Sequence, residues 1–426
     1  EGLALSVDGI KSAINVSGTT ASDEVRLRQL LEKLDLSLGG EGKLGLGSNN
    51  LLFMACEFLL LAQEDEGSKL LLIEEPEAHL HAQRQLRTMK FLQDQAEEKG
   101  IQIIVTTHSP NLASAIALNN IVMIDNRHAY SMAEGQTKLE SSDYRFLQRF
   151  LDVTKANLFF ARGVVIVEGD AENTLLPTLA RLLGRDFTEH GVSIVNVGGV
   201  GLRRYARIFQ RKDVKDEEKE KQLRIPVACV TDLDVMPNCA GAIMGKTLST
   251  KEKLGQKGLD DKRVSLRAKA SGQCVETFVS DEWTLEYDLA YSGLAEHVYV
   301  AAHLAKKDEA LGEATLRTET AAAEGAFKTL ENEAKKAVEE KNADGCSYEE
   351  ILAAKVYAQF TTGKKASKAV AAQYLAGRLQ AKQAEGDLTA EDLRARLPRY
   401  LVQAIEYVTL PLAPDTALDE QVRADE

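Results

Sequence analysis

Twice in this chain an apolar, β-branched run ends abruptly in carboxylates. Val164–Val167 leads into Glu168, Gly169, Asp170, Ala171 and Glu172. About 60 residues later Pro226–Thr231 leads into Asp232, Leu233 and Asp234. Short runs of Val and Ile without polar alternation read as strands buried on both faces, as in parallel sheets covered by helices. The carboxylates then lie at the strands' C-terminal ends, the edge where open α/β sheets bind ligands. Gly169 permits a tight turn, and Glu172 is one helical turn further on. Alternation along a strand would turn Asp232 and Asp234 to the same side. If the two strands are neighbours, four carboxylates converge. Such a group repels itself unless divalent cations neutralise it. Oxygen-only donors favour Mg²⁺ or Mn²⁺ over zinc.

The strand–helix rhythm continues around these motifs. Gly163–Val167, Val192–Val197 and Pro226–Asp232 read as strands, separated by helices at Glu172–Leu183 and Leu202–Gln210. An earlier block has the same rhythm, with strands at Lys69–Glu75, Ile101–Thr107 and Asn120–Asp125 and a helix at His79–Lys99. The polar stretch Ser141–Lys155 reads as a connector between the blocks. From about 285 onward the chain is rich in Ala, Glu and Lys and reads as helices broken near Gly345 and Gly363, with an acidic tail after Pro411. The expected fold class is α/β with a mainly parallel, Rossmann-like sheet and a helical appendage. The expected domains are 1–155, 156–285 and 286–426.

Composition removes several function classes. The five cysteines form no CxxC pair, so a zinc ribbon or disulfide framework is not expected. No apolar run is long enough to span a bilayer, and no signal peptide is visible. A cytoplasmic protein without a membrane partner is expected. Fifty-two basic and 65 acidic residues give a net charge of −13. That argues against a general nucleic-acid coat but not against an enzyme with a local acidic metal site. Between Lys251 and Lys269 lie Lys262, Arg263 and Arg267, and Arg203 and Arg204 follow the glycine turn Gly198–Gly199. These cations are candidates for holding phosphates beside the acidic motifs.

In the first block, Leu70–Ile73 runs into Glu74, Glu75 and Pro76. The next strand ends in Thr107, His108 and Ser109, and Gly47 and Ser48 open a long apolar helix. One carboxylate of the pair can hold Mg²⁺ while its neighbour orients a water. In this order and spacing the block resembles the second half of ABC-type ATPases. The resemblance makes Glu74 and Glu75 a Walker B pair, His108 a switch histidine, and Gly47 and Ser48 part of a signature motif. Gly241–Thr247 imitates a Walker A loop but has three residues between its glycines instead of four, so it reads as a decoy. On this reading Glu1 starts inside a longer native chain, and this stretch alone is not expected to hydrolyse ATP.

The E-G-x-x-E and D-x-D pair resembles the Toprim domain of topoisomerases, primases and certain nucleases. Asn196–Gly199 matches its glycine turn. An ABC-type half followed by Toprim resembles the overcoming-lysogenization-defect (OLD) nucleases, over roughly residues 40–380. The resemblance implies a DNA endonuclease with two divalent metal ions, held by Glu168, Glu172, Asp232 and Asp234. Glu286, in a TLE motif, would be a further ligand. Lys368 would stabilise transition-state charge, with Lys364 and Lys365 as competitors for that role. ATP and a homodimer formed through the ATPase domain are implied for the full-length protein, as is work in phage defence or DNA repair. The alternatives are a Toprim topoisomerase or primase, or a non-catalytic DNA clamp.

Overall fold

The structure is a computed structural model describing residues 12–15, 35–38, 45–62, 67–125, 127–215, 217–245, 250–339 and 345–410. The chain divides into two compact units, Glu1–Ala117 and Leu118–Glu426.

In the first unit, strands β1 (Ser12–Asn15) and β2 (Asp35–Leu38) pair antiparallel. Helix α1 (Leu46–Ala62), strand β3 (Leu70–Glu74), helix α2 (Ala82–Lys99) and strand β4 (Gln102–Thr106) follow. β3 and β4 are parallel, with Leu72 opposite Ile104, as a strand–helix–strand unit requires. Met54, Phe58, Ile73, Leu92 and Ile101 form its core. α2 ends at Gly100, whose left-handed backbone (φ 63°) donates its N–H to Ala96 O.

The second unit opens with the antiparallel pair β5 (Val122–Asp125) and β6 (His128–Ser131), then α3 (Ser141–Phe150). Next come β7 (Gly163–Val167), α4 (Asp170–Leu182), β8 (Val192–Asn196), α5 (Leu202–Ile208) and β9 (Val227–Thr231). Helices α6 (Asn238–Met244) and α7 (Lys251–Ala268) lead to β10 (Val275–Val279). The helical part comprises α8 (Leu285–Leu289), α9 (Ala295–Ala305), α10 (Glu313–Glu339), α11 (Tyr348–Tyr357), α12 (Lys368–Ala384) and α13 (Arg399–Thr409). The sheet is all parallel, in the order β10-β9-β7-β8. The expected α/β class and helical appendage are therefore present.

Side-chain alternation explains how both sheet faces are covered. Val165, Val167, Ala228 and Val230 pack with Leu175 and Leu179 of α4, Leu375 of α12 and Ile405 and Val408 of α13. Val164, Ile166, Val227 and Cys229 face the other way, against Tyr205, Ile208 and Phe209. Leu118, Met123, Met132, Leu147 and Leu158 complete that second layer. Residues 118–155, grouped with the first block on sequence, thus contribute to the core of the second unit. The expected connector contains α3, whose Asp143 is fully buried. The Walker A look-alike is helical over Asn238–Met244, so Gly241 lies inside α6. Lys246 and Thr247, like the tail expected after Pro411, lie outside the described residues. No described helix is long and apolar enough to cross a membrane.

Candidate metal centre

β7 and β9 are neighbours in the sheet, so their C-terminal ends bring the two acidic motifs together. Glu168 follows the last residue of β7, and its Oε2 accepts a hydrogen bond from Thr231 Oγ1 at 3.2 Å. Gly169 is the N-cap of α4. A Cβ on Gly169 would lie 2.8 Å from Glu172 Oε2, so the turn is fitted closely around that carboxylate. Asp232 and Asp234 are not on a strand. β9 stops at Thr231, and Asp234 has a left-handed backbone (φ 53°). Strand alternation therefore does not orient this pair as expected. A loop does so, with Leu233 between the two acids buried completely among Val235, Leu259 and Val279.

A second loop, between β10 and α8, clamps the first. Leu233 N–H donates to Ser280 Oγ (2.7 Å), and Ser280 Oγ donates to Trp283 O (2.9 Å). Asp234 N–H donates to the same Trp283 carbonyl (3.2 Å), and Ser280 N–H donates to Thr231 O (3.0 Å). Leu285 N–H donates to Asp232 Oδ1 (3.1 Å). The clamp is itself tied down by Asp288, whose carboxylate accepts the N–H groups of Glu282 and Trp283. Burial pushes the Asp288 pKa up to about 7, against those two bonds.

Glu286 is 6% exposed, at the start of α8. Its Oε2 receives Lys368 Nζ at 2.7 Å. Lys368 opens α12, where Ser367 caps the helix by accepting from Val370 N–H. Its ammonium lies 5.5 Å from the centroid of the Tyr357 ring. Lys364 and Lys365 are exposed, and neither makes an ion pair among the described residues. Lys368 is thus the lysine of that cluster that reaches the acidic site.

The electrostatics are those of a self-repelling site. Burial, then Glu286 and Glu172, drive the Asp232 pKa well above the carboxylate range. Burial, then Glu286 and Glu168, raise that of Glu172 despite a backbone hydrogen bond and nearby Lys368. Burial and Asp234 raise Glu168, against the Thr231 hydrogen bond and Lys269. Partial burial works against the Lys368 ammonium, but Glu286 and its neighbours more than offset it and raise the pKa. Only oxygen donors face one another here, and each acid disfavours ionisation of the next, so the donor chemistry fits hard divalent cations. Among the described residues, however, no three His, Cys, Asp or Glu side chains are gathered closely enough to form a ready-made cage.

The other candidate cations divide. Arg204 Nε donates to Asp143 Oδ1 at 2.9 Å, and its guanidinium lies 4.1 Å from the Phe146 centroid. Arg203 (3.6 Å) and Arg207 (3.5 Å) also face this buried carboxylate. Burial alone would raise the Asp143 pKa, but the Glu140 N–H and the arginines outweigh it and hold it low. Arg204 therefore joins α3 to α5, which conflicts with its expected role at DNA. Lys262 Nζ donates to Asp234 O (3.1 Å), and Arg263 donates to Asp281 O (2.6 Å). Arg267 is exposed.

In the first unit Glu74 ends β3. Glu75 is left-handed (φ 43°), and its Oε1 lies 3.7 Å from His108 Nε2. Glu77 Oε1 accepts from Thr107 Oγ1 (2.7 Å) and from His108 N–H (2.9 Å), while its buried Oε2 has no hydrogen-bond partner. Gly47 and Ser48 lie in the first turn of α1. A Cβ on Gly47 would come within 2.4 Å of His79 O, and Ser48 Oγ accepts from Arg84 Nη1. The signature-like residues thus lie against the His79–Leu80 turn and Arg84 of α2.

Residues 159–234 match the Toprim domain of overcoming-lysogenization-defect-like proteins, and residues 12–113 match an AAA ATPase domain. An OLD nuclease of Thermus scotoductus is 28% identical over 219 residues, covering 50% of this chain and 39% of the relative. Endonuclease GajA of Bacillus cereus is 24% identical over 226 residues, covering 46% and 31%. This chain thus spans well under half the length of these relatives. The C-terminal region of the Xanthomonas campestris OLD protein aligns with 63% of this chain and all of its own, at 22% identity and a TM-score of 0.30.

Proposed function

We propose that this chain, which carries an OLD-like Toprim domain beside an AAA-type ATPase segment, is a metal-dependent DNA endonuclease that hydrolyses phosphodiester bonds. One observation carries the reading. Glu168, Glu172, Asp232, Glu286 and Lys368, drawn from 200 residues of sequence, meet at the C-terminal edge of one parallel sheet. In this reading Glu168, Glu172, Asp232 and Asp234 hold Mg²⁺ or Mn²⁺. Such ions, when bound, would supply an activated water and neutralise the leaving oxygen. Glu286 keeps Lys368 charged and aimed at the site, where its ammonium offsets charge developing on the phosphate. Burial and repulsion by neighbouring carboxylates disfavour ionisation of Glu172 and Asp232, so cation binding would favour the loss of protons there. In a full-length protein the AAA-type unit would add ATP-dependent control through pairing of two copies.

The test is supercoiled plasmid incubated with Mg²⁺ or Mn²⁺. Nicked and linear products are expected, reduced at least a hundredfold in Glu168→Ala and Asp232→Ala. Relaxed, covalently closed topoisomers would point to a topoisomerase instead. The lack of a ready-made cage among the described residues favours a second reading, a non-catalytic DNA clamp. Intact plasmid, with no Mn²⁺ binding by calorimetry, would select it.

A further inference from the structure

Helix α7 has two chemically distinct faces. It is kinked at Gly255 (φ 62°, ψ 172°), and the stretch after the kink is a regular helix. Its inner stripe is Leu259, Lys262, Arg263 and Leu266, a spacing that places all four on one side. Leu259 and Leu266 pack on Leu233, Val235 and Val279, under the loop that carries Asp232 and Asp234. Lys262 and Arg263 reach around them to the carbonyls of Asp234 and Asp281. Lys251, before the kink, pairs with Glu282 of the clamping loop. The inner face therefore fastens both loops of the metal site.

The outer face has no such employment. Lys253, Lys257, Arg267 and Lys269 are exposed and make no ion pair among the described residues. Glu252 and Asp261 are exposed as well, and Asp260 is drawn off by Gln256 and Arg263, so from Lys251 to Lys269 three acids stand against seven Lys and Arg residues. In a chain of net charge −13, unpaired cations on a helix bolted to an acidic site form a local attractive patch. Lys269 lies close enough to the site to favour ionisation of Glu168. From Lys257 to Arg267 the helix rises about 15 Å, the axial length of about four phosphates of one strand.

We propose that α7 is the docking helix for the sugar–phosphate backbone of duplex DNA, with Lys253, Lys257, Arg267 and Lys269 as its contacts. This rests on the nuclease reading for the site that the DNA is led to. No aromatic side chain interrupts the outer face, and its amide, Gln256, is engaged with Asp260, so the contact is to backbone charge and independent of sequence.

The experiment is duplex binding by fluorescence anisotropy in EDTA, across a salt series, with K253Q/K257Q/R267Q. Lys269 is kept because it also acts on Glu168. Affinity is expected to fall about tenfold or more for every duplex sequence. The slope of log K against log salt is expected to shrink by about 2 to 3. The inner-face variant K262M is expected to keep the slope. A neutralised set on α10, K328Q/K335Q/K336Q, controls for overall charge. An unchanged slope in the folded α7 variant, or an equal loss in the α10 set, would overturn the proposal. If plasmid is cut while the α7 variant keeps its slope, the docking helix falls and the nuclease stands. If the slope shrinks but plasmid is never cut, α7 binds DNA and the nuclease reading falls.

Discussion

His297 on α9 accepts a hydrogen bond at Nδ1 from Arg378 Nε of α12, at 3.0 Å. An arginine can only donate, so the imidazole proton sits on Nε2 and Nδ1 must stay bare. Arg378 also pairs with Glu296 and Glu324, which ties α9, α10 and α12 together. Burial, with Arg378, Arg396 and Lys382 nearby, lowers the His297 pKa from 6.5 to about 4, against the weaker pull of Glu324. The unfolded chain therefore binds this proton at a higher pH than the folded one. The His297 contribution is intact above pH 6.5 and is lost as pH falls toward 4, by about 3 kcal/mol at most. Urea midpoints at pH 7.5 and 4.5 should show His297→Gln with a shallower acid loss than the parent. Equal slopes would show that the imidazole is protonated elsewhere on the scale.

At the scale of elements, Gly163 at the start of β7 sits under the last described helix. A Cβ there would lie 2.6 Å from Val408 O of α13 and 3.2 Å from Val192 Cγ2 of β8. Gly163→Ala is expected to destabilise the second unit by about 1–3 kcal/mol through overpacking. Gly377, inside α12, has open space around it and no positive φ. Gly377→Ala should instead stabilise by about 0.5–1 kcal/mol. Thermal unfolding of the two variants checks both signs. β7 and β9 were legible in the sequence because every residue in them is buried, which leaves an unbroken apolar run. The acids were legible because a carboxylate directly after such a run is unusual. Ser280 and Asp288 were not. Their partners are backbone N–H and carbonyl groups, and the Leu233 N–H bonded to Ser280 lies 47 residues away, so no side-chain pattern marks them. Arg204 looked free for DNA because its partner Asp143 is 61 residues earlier, in a stretch that reads as a connector. The inner stripe of α7 was hidden because two of its four members are charged. Residues 118–155 read as part of the first block because their strand rhythm continues it, and only packing shows which sheet they cover.

At the scale of the molecule, the acidic site sets stability against use. Burial, with Glu286 facing both, raises the pKa of Glu172 and of Asp232 in a core that also holds α4, α8 and α12. Asp232→Asn keeps an Oδ1 acceptor for Leu285 N–H while removing a buried charge. Its cation-free melting temperature is expected to equal or exceed the parent's. Mn²⁺ at a hundred times its dissociation constant should stabilise the parent by about 2.7 kcal/mol and the variant hardly at all. A Mn²⁺ shift surviving in Asp232→Asn would remove that residue from the ligand set. The clamp, the lysine and the cover of the sheet also share a property in time. Glu168 emerges from the ribosome long before Lys368, and β7 is not covered until α13 follows at Arg399–Thr409. At about 5–20 residues per second, that gap lasts on the order of 10–50 s. Stalled nascent chains ending before residue 368 should therefore leave β7 open to protease. A chain still under synthesis carries its acids but not yet their lysine, so the acidic site is completed only after residue 368 has left the ribosome.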